Sequence, residues 1–174
     1  MPDIIPIDDP ADPRIAAYAG VRERDLVGRR GEFIAEGEVV LRVLLGPFSR
    51  FAPASLLIAE KRLARLAPML ETVAPQVPVY AAGQAVMDAV VGFPIHRGIL
   101  AHGLAGPPAD ARALLAGLGP RAVVLVLFGV ANHDNIGGMF RNAAAFGAAA
   151  VLLDGACCDP LLRNGQSLQL FTPV

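Results

Sequence analysis

An α/β fold is predicted by two observations. Brief apolar strands alternate with amphipathic helices along most of the chain, and the last alternation is a strand, polar loop, helix and strand between residues 122 and 154. The helical stretches repeat apolar residues every three to four positions. The strands are short Val-, Ile- and Leu-rich runs bounded by Gly, Pro or charge. With 174 residues and 54% apolar content, the chain can build a packed core and does not have the composition of a disordered protein.

Residues 1–13 form an acidic, Pro-rich lead. Ile15 to Arg30 reads as a short helix ending in an Arg-rich turn, and Phe33, Ile34 and Ala35 as a brief strand. From Glu36, Val39, Val40, Val43 and Leu44 fall on one face of a helix that Gly46-Pro47 ends. SLLIA, residues 55–59, is a buried strand. KRLARLAPMLETV is helical with Lys61, Arg62 and Arg65 outward, and Pro68 is expected to kink or divide it. Pro78-Val79-Tyr80 opens a strand, GQAVMDAVVG is a helix with Gly at each end, and RGILAH, residues 97–102, is a strand. These elements place one α/β domain at 14–105. A Gly- and Pro-rich linker with a short Ala/Leu helix follows at 106–120, and a second unit begins at 121.

The second unit opens with AVVLVLF, residues 122–128, an unbroken apolar strand of the kind covered on both faces in parallel sheets. With the helix after GVANHDNIGG and the strand AAAVLLD it makes a βαβ unit, whose ligands bind beyond the carboxyl ends of the strands. Asp134 or Asn135 can cap the helix, Gly137 and Gly138 allow close approach to its backbone, and Gly147 can stop it. Ile136, Met139, Phe140, Ala143 and Phe146 are expected to pack on the sheet, with Arg141 and Asn142 pointing away. Periodicity alone leaves two readings of this corner. Arg141 is either an ordinary solvated arginine or an anion contact, and Asn132, His133 and Asn135 are either loop formers or part of a site.

Charge is uneven. Residues 1–13 carry four acids and no base, residues 14–65 ten bases against six acids, and the remainder five against six, for a net charge of −1. Among the fifteen basic residues only Lys61 is a lysine; arginine's planar fork suits phosphate, although codon usage rich in G and C produces the same bias. The adjacent pair Cys157-Cys158 excludes a disulfide framework, and His96, His102 and His133 lack metal-ligand spacing, so no metal is expected. No run approaches the roughly 18 apolar residues of a membrane span, and the acidic N-terminus does not resemble a secretory signal, so the expected location is the cytoplasm.

The string NHDNIGGMFRNAAAFG resembles motif one of the SpoU (TrmH) family of RNA 2′-O-ribose methyltransferases at seven positions: Asn135, Gly137, Arg141, Ala143, Ala145, Phe146 and Gly147. AVLLDGACCDPL is similar to the family's continuation, and FIAEGEVVLRVLL and VYAAGQAVMDAVVGFPIHRGILA to its L30e-like substrate-binding domain. The resemblance spans about residues 14–162. It implies an L30e-like domain followed by the first βαβ part of a SPOUT-type α/β-knot domain. It also implies methyl transfer from S-adenosylmethionine to a ribose 2′-hydroxyl of rRNA or tRNA, with Arg141 and Asn135 as catalytic-motif residues and a homodimer as the family's assembly.

Arg141 is read as a phosphate clamp, because an arginine is a poor proton acceptor. Asn135 either holds its guanidinium or caps the helix. Arg29, Arg30, Asn132 and Arg141 are the expected RNA contacts. The family's two later, cofactor-binding motifs are not found before Val174, so no residue is assigned to S-adenosylmethionine. A catalytically inactive RNA-binding module and an interaction fragment are the alternatives.

Overall fold

The computed structural model describes residues 2–19, 31–47, 49–106 and 110–161. Arg29 and Arg30, and most of the expected helix from Ile15 to Arg30, lie outside these residues. What is described of that helix is a short 3-10 turn, Pro13–Tyr18, whose start is capped by Asp12 accepting from the Arg14 amide.

Five strands make the main sheet: β1 (Ile4–Ile7), β2 (Glu32–Glu36), β3 (Ala52–Ala59), β4 (Val79–Ala82) and β5 (Ile99–Leu104), in the order β1-β4-β3-β5-β2. β1, β4 and β3 run parallel, and β5 is antiparallel to both β3 and β2. β1 was not expected. IIPI is too short and too close to acids to show a period, yet its pairing beside β4 brings part of the acidic lead into the sheet.

Three helices cover the sheet: α1 (Glu38–Leu44), α2 (Glu60–Leu70) and α3 (Gln84–Val91). Alternation along β3 sorts the core. Leu56 and Ile58 face one side with Leu41, Leu44, Leu66 and Leu70 from α1 and α2. Leu57 faces the other with Ile7, Ile15, Tyr18 and the Met87, Val90 and Val91 of α3. All three β3 side chains are fully enclosed, each worth about 1.5–3 kcal/mol of transfer free energy.

Two details differ from expectation. Val39, placed on the buried face of α1, is 72% exposed, while Leu41 is enclosed, because the sheet meets the stripe through Leu41 and Leu44. α2 continues through Pro68 to Leu70. The proline sits in the last turn, where only one intrahelical bond is lost before the helix ends.

The second unit holds α4 (Ala111–Ala116), β6 (Val124–Leu127), α5 (His133–Ala145) and β7 (Ala150–Leu153). β6 and β7 pair in parallel from Val124↔Ala150 to Leu127↔Leu153, with α5 as the crossover, so the expected βαβ unit is present. The strand expected over 122–128 is shorter, and among the described residues it is not covered on both faces. Among the described residues it has one partner, and Val123, Val126 and Phe128 are 61%, 46% and 73% exposed. No helix of the described residues is long and apolar enough to cross a membrane.

Candidate active site

The site is built where the chain leaves β6 and β7. The β6 strand ends at Leu127, and Gly129 turns the chain with φ +63°, a conformation strained for any side chain. Asn132 then caps α5: its side-chain oxygen accepts from the Asn135 amide at 3.0 Å, and its carbonyl accepts from the Ile136 amide at 3.0 Å. This corrects the expectation that Asp134 or Asn135 caps the helix. Asn132 precedes the first turn, whereas Asn135 lies within it and receives the cap, so the capping alternative for the Asn135 side chain is removed.

At the other end of α5 the amides of Phe146, Gly147 and Ala148 bond to the carbonyls of Asn142, Ala144 and Ala143, and Gly147 has φ +69°. The glycine stop is as expected. Phe146, expected to pack on the sheet, is instead 85% exposed, because the chain turns away from the sheet at this cap. Ile136 and Ala143 are the buried anchors of the helix.

Arg141 is half-buried rather than fully solvated, and it has contacts of its own. A Cβ placed on Gly138 would stand 3.8 Å from the Arg141 Nη2, so the guanidinium leans back by about one turn toward the start of α5. Gly138 leaves room for that lean. Asn135 and Arg141 are six positions apart, about 120° around the axis and about 9 Å along it. The lean over Gly138, which is three residues from each, narrows that separation. His133, in the first turn, has an enclosed Nε2 with no hydrogen-bond partner among the described residues.

Asp154, which follows β7, is the organising residue that sequence reasoning missed. One oxygen, Oδ1, accepts from the amides of Gly129 at 3.0 Å, Ala156 at 3.2 Å and Cys157 at 3.0 Å, so it ties the loop entering α5 to the loop after β7. The Gly129 bond, with those of Cys157 and Ala156, holds the carboxyl below the usual carboxylate range. Cys157 Sγ adds a bond to the Leu127 carbonyl and receives the Val130 amide, each at 3.4 Å, and the Cys158 amide bonds the Val130 carbonyl at 2.9 Å. An Asp at a strand end followed by Gly is a turn signal, but its long-range partner has none in the sequence.

The amides of Gly129, Ala156 and Cys157 are taken up by Asp154, that of Val130 by Cys157 Sγ and that of Cys158 by the Val130 carbonyl. None of these five donors is therefore assigned to S-adenosylmethionine. No group of three or more metal-ligating side chains occurs among the described residues either.

Over 172 residues, 97% of its length, the chain is 37% identical to an uncharacterized tRNA/rRNA methyltransferase of Mycobacterium bovis and equally to one of Mycobacterium tuberculosis. The chain is thus similar in sequence to proteins named as tRNA/rRNA methyltransferases. It spans 57% of the length of these relatives. No family model matches it.

Solved structures agree at the level of fold. An AdoMet-bound rRNA methyltransferase from Sinorhizobium meliloti superposes with a TM-score of 0.68 at 16% identity, over 91% of this chain and 57% of that one. An RNA 2′-O ribose methyltransferase gives 0.62 at 24%, over 91% and 59%. A TrmH-family protein from Porphyromonas gingivalis gives 0.63 at 21%, over 87% and 55%. The likeness to RNA methyltransferases therefore holds in sequence over most of this chain and in fold.

Proposed function

We propose that this protein works in methyl transfer from S-adenosylmethionine to a ribose 2′-hydroxyl of tRNA or rRNA, and that the residues described here supply the part that grips RNA. In this reading residues 14–105 are an L30e-like RNA-binding domain, 106–120 a linker, and 121–174 the opening of a SPOUT-type α/β-knot domain. The protein acts in the cytoplasm as a homodimer.

The observation that carries the proposal is Arg141, in the third turn of α5 and leaning back over Gly138 toward the capped helix start. A guanidinium stays protonated at any working pH, so it serves as a cation and fork rather than a base. Held against a backbone phosphate, it fixes the neighbouring ribose, and its charge, with the positive end of α5, stabilises negative charge developing on the 2′-oxygen. Asn135 sits one turn below that path and positions the nucleotide. Asn132 acts through the cap, holding the loop that presents both.

Arg141→Ala is expected to weaken RNA binding by about tenfold, the loss of one charge-assisted contact, while changing stability by about 1 kcal/mol or less. Fluorescence anisotropy with labelled tRNA and urea denaturation measure the two. Unchanged affinity overturns the clamp.

A further inference from the structure

A groove of about 570 Å³ lies between α1 and α2, away from the β6–α5 corner. Its floor is apolar: Leu45 from the end of α1, and Leu66, Pro68 and Met69 from α2. Its polar side is one three-charge cluster. Arg42 from α1 and Arg65 from α2 both reach Glu38, at 3.2 Å to Oε1 and 3.0 Å to Oε2. The two arginines are 69% and 68% exposed and the glutamate 27%.

We propose that this groove is a second RNA-contact site, receiving one nucleotide of a single-stranded segment with its phosphate on Arg42 and Arg65 and its base on the Leu45, Pro68 and Met69 floor. The inference rests on the RNA reading above and locates a contact within residues 14–105, using neither Arg141 nor Asn135 nor Asn132.

Three arguments support it. Exposed ion pairs contribute about 0–1 kcal/mol each, so stability alone gives little reason to bring two arginines from different helices onto one carboxylate. Two guanidinium groups against one carboxylate leave an excess positive charge, with most of their fork N–H groups facing solvent, where a phosphate can receive them. The shared carboxylate also orders both side chains before a ligand arrives, which lowers the entropy lost on binding. An acidic peptide would meet the charge but has no planar apolar face to lay on the floor, and a base has one.

The test is anisotropy of labelled single-stranded RNA with the full chain across about 50 to 200 mM salt. Arg42→Gln with Arg65→Gln is expected to weaken binding roughly tenfold at low salt and to reduce the salt slope by about 0.7, one phosphate contact on a single strand. A double variant with wild-type affinity and slope overturns the groove. So does polyglutamate that competes as well as RNA at equal charge.

If the wild-type chain binds RNA while the double variant is unaffected, the groove fails and the Arg141 reading stands. If the wild-type chain binds no RNA, both fail. Circular dichroism melts show whether each variant is folded. Met69→Glu, which places an acid on the floor and leaves the arginines in place, is a second variant expected to abolish the groove's share of binding; unchanged affinity with it also counts against the site.

Discussion

Asp154 shows how much one side chain can organise. Its carboxyl is held below the usual carboxylate value of 3.8, first by the Gly129 amide, and Asp88 is held down likewise by the Ile95 amide and Gln84. A depressed folded-state pKa stabilises the protein above the unfolded value, and that contribution is lost as pH falls through the folded value. Stability is therefore expected to decline as pH drops below about 4. Asp154→Ala should remove its share of that decline and leave three amides without an acceptor. Hydrogen exchange should then quicken at Gly129, Ala156 and Cys157 relative to β3; equal protection in both proteins counts against the tie.

The same scale marks what the sequence concealed. The spacing from Asn135 to Gly147 was legible because it is local. The cap fell to Asn132 rather than to Asp134 or Asn135 because several cap-forming residues stand in a row and only backbone geometry chooses among them. The bond from Asp154 to Gly129 joins residues 25 apart, and no local pattern encodes it.

Among elements, the contact of β2 with β5 sets a sharp constraint. Gly103 pairs with Phe33, whose enclosed ring lies over the glycine, and an added Cβ would stand 2.3 Å from Phe33 Cζ. The ring is also fixed edge-on against Phe51, centroids 5.3 Å apart, so it has little room to yield. Gly103→Ala is expected to cost about 1–3 kcal/mol by overpacking, read from the urea midpoint at constant slope. A loss below about 0.5 kcal/mol would show that the ring moves freely.

Strands and helices with a clear period were legible at this scale, as β3, α2 and α3 show. β1 was not, because four residues give no period and its place depends on a distant partner. The inward face of α1 was misread at Val39 because four apolar residues, Val39 to Leu41 and Val43, compete within one turn, and the position of the sheet decides among them.

For the molecule as a whole, the two units differ in how well they enclose themselves. The five-stranded sheet has a helical layer on one face and a mixed layer on the other. The β6–β7 pair, among the described residues, leaves Val123, Val126, Phe128 and Phe146 open. Apolar surface of that kind drives association. Light scattering of the full chain is expected to rise with concentration, and Val126→Lys with Phe128→Lys to suppress the rise without lowering the melting temperature by more than about 2–4 °C, the shift for 1 kcal/mol in a domain of this size. Scattering unchanged by the double substitution would locate the sticky surface elsewhere.

The strand order also carries a temporal meaning. β1 and β2 leave the ribosome first, yet they occupy the two margins of the main sheet, and Ile4 meets its neighbour only when Val79 has been made. Nascent chains must therefore hold two unmatched ribbons in waiting while β3, β4 and β5 assemble the middle. A chaperone or the tunnel mouth has its longest opportunity to engage this protein over those first residues.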